Sequence, residues 1–191
     1  TDGPYLSENT TTTTLTPSGT TGSVNITASA SLWASTDVGR LVSFSNGRAK
    51  ITGFTSATVV AATVQDDFDN TNAVTNWKLG AFSGTTGHPS CVSFFEQRLV
   101  FAGTTAEPQT LYFSKSGDYE NMTTGTNADD AMVYTIASNQ VNRIRYLKSQ
   151  RTLIVGTTGG EFTVSADGTD AAITPTNIVI KKQSSYGTAN V

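Results

Sequence analysis

One histidine, His88, and one cysteine, Cys91, bound the chemistry open to this chain. A hydrolytic triad needs a histidine base. His88 sits in the turn Gly87-His88-Pro89 with no Gly-x-Ser-x-Gly elbow beside it, so it reads as a surface loop histidine. A lone cysteine excludes an intramolecular disulfide, and one Cys with one His is too few for a Cys-based zinc site. Cys91 lies in the apolar stretch Cys91-Val92-Ser93-Phe94-Phe95, where a buried, inert thiol is expected. Paired carboxylates would suit glycoside hydrolysis, and the candidates are Glu96, Asp118, Glu120, Asp129, Asp130 and Glu161. They fall in loops or beside strand ends, where solvated carboxylates are the ordinary case. Asp167-Gly168-Thr169-Asp170 hints at calcium but lacks the ligand series and the Glu of a true loop, and reads as a hairpin turn. No phosphate loop, dinucleotide fingerprint or His-Glu-x-x-His helix is present. No catalytic, cofactor-binding or metal residue is therefore assigned, no cofactor is expected, and the chain is expected not to be an enzyme.

Charge points the same way. The net charge is −3 and the isoelectric point about 5.0, which argues against a protein that grips nucleic acid by neutralising phosphates. A surface past which DNA slides is compatible with weak attraction. Arg143 and Arg145 alternate along one stretch, and Lys148, Arg151, Lys181 and Lys182 add positive charge. A solvated sheet face is the stronger reading of that set than a nucleic-acid groove. No apolar run approaches the roughly 20 residues that span a bilayer, and no signal peptide is visible, so no membrane partner is expected. The chain opens Thr1-Asp2-Gly3 without Met, as expected of a processed or excised segment.

The elements that must position these residues are strands. Hydrophobic residues make up 37% of the 191 and charged residues only 14%, while Thr, with 34 copies, fills the difference. Thr is β-branched and stiff at χ1, so it suits strands better than helices. The Thr-rich tract over 7–23 is expected to hold an edge strand at Thr12–Thr16. Val24-Asn25-Ile26 alternates with period two. A helical turn is expected over Ser29–Ser35, anchored by Leu32 and Trp33. Asp37-Val38-Gly39-Arg40 reads as a turn into a strand at Leu41–Phe44. Asn46-Gly47 then signals a type I′ hairpin, with strands returning at Arg48–Gly53, Ala57–Val64 and Asn76–Ala81. This makes a small antiparallel β-barrel or sandwich over residues 1–83. Gly84-Thr85-Thr86-Gly87 reads as a hinge to the part at 84–191.

That second part repeats. Gln97-Arg98-Leu99-Val100-Phe101-Ala102-Gly103-Thr104-Thr105 aligns with Gln150-Arg151-Thr152-Leu153-Ile154-Val155-Gly156-Thr157-Thr158, an offset of 53 residues with five identities. Strands are expected at Ser90–Phe95, Gln97–Gly103, Thr110–Ser114 and Ala131–Ile136, and again at Asn142–Leu147, Arg151–Gly156, Glu161–Ser165 and Asn177–Lys181, so one strand precedes each copy and two follow. Four strands in roughly 50 residues match a propeller blade, so about two four-stranded propeller-type blades are expected, at about 88–138 and 139–183. The Gly of each copy is expected to permit a tight turn, and the Thr pair to cap the loop or begin the next strand. Two blades cannot close a ring of 4–8; an open pair exposes apolar faces and edge strands.

Several stretches resemble a known family. They are Trp77-Lys78-Leu79-Gly80-Ala81-Phe82-Ser83, the run from His88-Pro89-Ser90-Cys91 through Gln97-Arg98-Leu99-Val100-Phe101-Ala102-Gly103-Thr104, Pro108-Gln109-Thr110-Leu111-Tyr112-Phe113-Ser114-Lys115-Ser116-Gly117-Asp118-Tyr119-Glu120-Asn121-Met122, and Tyr134–Asn142. The chain is similar in these to the tail tubular protein B, or nozzle, of short-tailed bacteriophages and to related phage stabilisation proteins, over about 77–187 and more loosely over 1–76. The resemblance implies a propeller with an inserted β domain, assembled as a homo-oligomeric ring around the DNA exit channel of the virion tail. It implies other tail and portal-adaptor proteins as partners, transient non-specific contact with genomic DNA, and an internal segment of a longer protein. Two alternatives stand beside it. One is a carbohydrate- or protein-binding β module of a tail or adhesin, favoured by exposed aromatics such as Trp33 with Phe44 or Tyr5. The other is a propeller glycan-degrading enzyme, favoured by two carboxylates about 5–10 Å apart in a cleft.

Overall fold

A computed structural model describes residues 2–137, 141–168 and 171–189. Among them there is no α-helix, and every extended pairing between named strands is antiparallel. The strands are β1 (Leu15–Pro17), β2 (Ser23–Ala28), β3 (Leu41–Phe44), β4 (Gly47–Ser56), β5 (Val59–Asp66), β6 (Lys78–Leu79), β7 (Cys91–Phe95), β8 (Arg98–Ala102), β9 (Thr110–Phe113), β10 (Met132–Thr135), β11 (Ile144–Ser149), β12 (Leu153–Thr157), β13 (Gly160–Ala166) and β14 (Ile178–Ser184). Two compact units result: Tyr5–Thr86, and Thr1–Pro4 together with Gly87–Val191. The first unit is thus spliced into the second. Asp2 is tied to the second by Asp2 N–H to the Glu120 carbonyl at 2.9 Å and Met122 N–H to the Asp2 carbonyl at 2.6 Å.

In Tyr5–Thr86 six strands form one sheet in the order β1-β2-β5-β4-β3-β6, curled into a half-barrel. The curl has a local cause. The β4–β5 pairing slips at Arg48/Ala49, Ile51/Gly53 and Phe54/Ser56, and each bulge adds bend and twist. The period-two reading of Val24–Ile26 holds: Val24, Ile26 and Ala28 point inward, joined by Leu15, Val42, Ile51 and Val60. Phe44 stacks on Phe68 with ring centroids 4.3 Å apart. β1 lies at an edge, where Leu15 and Val74 exchange backbone hydrogen bonds of 2.9 and 3.0 Å.

Three local expectations are corrected in this unit. The hairpin after β3 turns on Ser45 and Asn46, both at positive φ (49° and 57°), and not on Asn46-Gly47. Gly47 is needed for space: a Cβ there would lie 2.6 Å from the carbonyl oxygens of Asp66 and Asp67. The helical turn falls later, as a 3-10 turn at Ser35–Asp37, because the Asp37 carboxylate accepts the Ala34 N–H at 2.9 Å. The last strand shrinks to β6, since neighbouring backbone groups bond to Leu6 and Asn9 instead: Leu6 N–H reaches the Leu79 carbonyl and Asn9 N–H the Trp77 carbonyl. Trp77 and Leu79 are buried as expected.

The second unit holds two four-stranded antiparallel meanders, β10-β9-β8-β7 and β11-β12-β13-β14. They share one core built from Cys91, Phe95, Val100, Leu111 and Phe113 of the first and Leu153, Val155, Phe162 and Val164 of the second, among others. The 53-residue offset aligns β8 with β12 in sequence, and the burial sequence of 99–105 recurs over 152–158. Equivalent residues meet in that core: Val100 and Ala102 point into it, and so do Leu153 and Val155. The two Gly of the repeat differ. Gly103 lies just past β8 at φ +76°, whereas Gly156 lies within β12 under the Tyr146 ring, where a Cβ would overlap Cε1. The tight-turn role therefore does not apply to Gly156. The Thr role is loop capping in both copies: Thr104 Oγ1 accepts Glu107 N–H at 3.0 Å, and Thr157 Oγ1 donates to the Gly160 carbonyl at 2.6 Å.

Candidate functional site

The residues that could do chemistry are dispersed. His88 is exposed. Cys91 is buried, with Sγ 3.8 Å from the Ile144 carbonyl. Asp118, Glu120 and Asp129 are exposed in the β9–β10 connection. Asp130 accepts Asn127 N–H at 3.0 Å and pairs with Lys115 at 3.2 Å. The Asn127 N–H, then Lys115, hold its carboxyl below the ordinary value of 3.8. Glu161 accepts the Tyr146 hydroxyl at 3.1 Å and the Ser184 hydroxyl at 3.2 Å. Glu96 accepts Ile173 N–H at 2.6 Å. Asp130, Glu161 and Glu96 are thus each engaged in structural bonds, and Asp129 shares Lys115 with Asp130 at 3.7 and 3.2 Å.

One open cleft of about 510 Å³ is lined by Glu96, Arg151, Thr152, Ser165 and Gly168, among others. Among the described residues Glu96 is the one acidic side chain lining it. Asp167 N–H bonds to the Asn177 carbonyl at 2.7 Å, which makes the β13–β14 connection a long loop and not the hairpin turn expected at Asp167–Asp170. Thr169 and Asp170 lie outside the described residues. Among the described residues no group of three or more His, Cys, Asp or Glu could hold a metal ion. None of the described helical segments is long and apolar enough to cross a membrane. Trp33 and Phe44 are buried and Tyr5 is half-buried, so the aromatic cluster that would mark a ligand-binding sheet is core instead.

Two buried guanidiniums escaped the sequence reading. Arg40 pairs with Asp37 at 2.9 Å and donates from Nε to the Gly80 carbonyl at 2.7 Å, joining the 3-10 turn to the chain after β6. Burial lowers its affinity for the proton, and Asp37 opposes that. The i,i+3 spacing of opposite charges was the available signal. Arg98, only 2% exposed, donates to the carbonyls of Ala128 at 2.6 Å, Asp130 at 2.7 Å, Ser114 at 2.8 Å and Asp129 at 3.3 Å. It pins the long β9–β10 connection onto the start of β8. Burial again lowers its pKa, opposed by Asp129, Glu96 and Asp130.

The site with the clearest character is a face, not a pocket. Directly opposed residues Val92, Phe101, Tyr112 and Val133 form one row across β7–β10. Strand alternation turns this row away from the core, because Cys91, Val100, Ala102 and Phe113 take the inner side. Val92 is 61% exposed, Phe94 58% and Val133 37%. The Tyr119 ring meets Phe94 edge-on at 5.1 Å. Tyr112, in the middle of the row, is only 1% exposed and donates its hydroxyl to Glu107 at 2.6 Å, and Phe101 is half-buried, so the exposed apolar groups lie at the two ends of the row; burial, then Glu107, raises the Tyr112 pKa. Exposed apolar residues in isolation are ordinary; Val92 and Phe94 on one side of β7, with Tyr119 against Phe94, form a small exposed patch. The signal was legible as near-unbroken apolar runs at Cys91–Phe95 and Leu99–Ala102, the pattern of strands buried on both faces.

The outer face of β11–β14 is different. Lys148, Ile154, Thr163 and Lys181 oppose one another across that sheet. Arg143 precedes β11, and the register slips between Ile144 and Tyr146, at Arg145. The expected alternation of the two arginines on one strand is therefore interrupted by a bulge. No family model matches the chain, and no curated protein matches it.

Proposed function

We propose that this chain is a structural component of a phage tail, a segment of a nozzle-type DNA exit conduit in the virion, working through its surfaces and not through an active site. The observation that carries the reading is the exposed apolar patch of Val92, Phe94 and Tyr119 at β7, with Val133 exposed on β10, on a sheet whose other face is already core. A four-stranded sheet apolar on both sides is built to be sandwiched, as inside a larger β assembly. The resemblance of 77–187 to nozzle proteins supplies the kind of assembly: a homo-oligomeric ring, seated among other tail and portal-adaptor proteins.

The finer reading is that the two meanders serve as propeller-type blades. Strand order and the approach of β7 to β11, at Cys91 and Ile144, support it. Strict rotational stacking would turn Val100 and Leu153 to opposite sides, so the reading rests on order and adjacency. A mild net negative charge suits a conduit, because DNA passing a like-charged wall is not trapped and its contacts stay transient and non-specific.

The test is electron cryomicroscopy of the intact parent protein, alone and in virions. A closed ring lining the tail channel is the expected result. A strictly monomeric parent in both settings overturns the proposal.

A further inference from the structure

We infer that the exposed apolar patch of Val92, Phe94 and Tyr119 on the outer side of β7–β10 is the seat for the outer face of β11–β14 of a second copy of this chain, joined head to tail. The inference rests on the ring reading above and names the two surfaces that would build the ring.

Charge complementarity selects the occupant. Residues 87–137 carry six acidic side chains against two basic ones, Arg98 and Lys115. Arg98 is buried among carbonyls, and Lys115 is paired with Asp129 and Asp130. The rim of the apolar row is therefore acidic: Asp118 and Glu120 flank Tyr119, which packs on Phe94, and Glu107 holds Tyr112. Residues 138–191 reverse the balance, with six basic side chains against three acidic. Their outer face sets Lys148 and Lys181 at the two ends of a row whose centre is Ile154 and Thr163. An exposed apolar patch bordered by Asp118 and Glu120 matches an uncharged centre flanked by lysines. Pairing β7–β10 with itself about a two-fold axis would set acidic rim on acidic rim, which like-charge repulsion disfavours. The pairing is therefore heterologous, and a heterologous contact propagates until it closes into a ring or runs on as a filament.

The experiment is a charge swap in the full chain, read by sedimentation velocity across a concentration series. One variant carries Lys148→Glu and Lys181→Glu, the other Asp118→Lys and Glu120→Lys. The four positions are solvent-exposed, and matching circular dichroism and urea midpoints verify that both variants fold. Wild type is expected to self-associate, less so as salt rises. Each variant alone is expected to associate at least ~100-fold more weakly, and their equimolar mixture to recover association, since each then meets an opposite charge. Wild-type association in either lone variant overturns the pairing of these faces while leaving a ring by other surfaces intact. Failure of the mixture to recover also overturns it. A wild-type chain monomeric to about 1 mM, binding a DNA duplex through Lys148 and Lys181, overturns self-pairing in favour of a nucleic-acid face. A monomeric parent in virions overturns the reading beneath it.

Discussion

Arg98 and Arg151 occupy the same position of a 53-residue repeat, each just ahead of the matched residues of a second strand, yet one is buried and the other exposed. The flanking residues agree in burial from Leu99 and Thr152 onward. What differs is the connection laid over the arginine. In the β7–β10 sheet the chain between β9 and β10 folds back and offers four carbonyls to Arg98. In the β11–β14 sheet Arg151 lines an open cleft. A repeat therefore conserves the strand, whose burial depends on near neighbours, more faithfully than the fate of a long polar side chain, which depends on a loop elsewhere in sequence.

The strongest way to break this comparison is to remove both arginines in turn. Arg98→Ala leaves buried carbonyls without donors and is expected to cost about 3–4 kcal/mol. Arg151→Ala, at an exposed side chain, is expected to cost at most about 1 kcal/mol. Urea unfolding of the full chain, with hydrogen exchange of β8 and β12 to localise the loss, reads the difference. Equal losses would mean that the two sites are not distinct.

The two repeat glycines give the next contrast. Gly156→Ala drives a methyl into the Tyr146 ring and is expected to cost roughly 2 kcal/mol, part of which Tyr146→Ala should return. Gly103→Ala meets the Ile144 carbonyl at 2.9 Å and a positive φ, so Ser90→Ala, which removes the nearby hydroxyl, should not rescue it. A double-mutant cycle on thermal unfolding distinguishes the two, and coupling at Gly103 as large as that at Gly156 would erase the distinction.

Smaller effects sharpen the hairpins. Glu96 and Gln97 form the β7–β8 turn with φ of 46° and 59°, a region that glycine enters without strain. Gln97→Gly is expected to stabilise by about 0.5–1 kcal/mol, whereas Glu96→Gly also loses the bond to Ile173 and should gain less. Chemical denaturation midpoints decide the order.

The smallest predicted effect is with acid. Asp130 has its pKa lowered on folding, so its contribution is present above its ordinary 3.8 and is lost as pH falls through the folded value below that. Lys115 shows the opposite sign: raised above 10.5, it contributes below that value and loses its contribution as pH rises through the folded one. Hydrogen exchange of the β9–β10 connection should rise at both extremes, and the loops of the β11–β14 sheet should not follow. Asp130→Asn should flatten the acid limb.

Much of the strand pattern was legible. Leu41–Phe44 was placed to the residue, and the eight strands of the second unit fell within one to three residues of their ends, because each alternates over short range and is punctuated by Gly, Pro or polar turns. The local errors share one physical origin. Asn46-Gly47 carries a strong hairpin signal, but the carbonyls of Asp66 and Asp67 claim the space at Gly47 and move the turn one residue back. Arg98 lies at the start of a strand, where a charged residue reads as solvated, and nothing adjacent in sequence announces its four acceptors.

By itself the sequence determined the class of structure: Thr and Gly abundance, period-two alternation and the repeat all act within a few residues, the range over which a strand chooses its inner face. Only the tertiary structure decided which long polar chains are buried, and that on the outer side of β7–β10 Val92, Phe94 and Val133 stay exposed while Tyr112 between them is buried. Those outcomes depend on groups tens of residues apart meeting within hydrogen-bond distance, as Arg98 meets Ala128 and Asp130, and no local pattern encodes such a meeting.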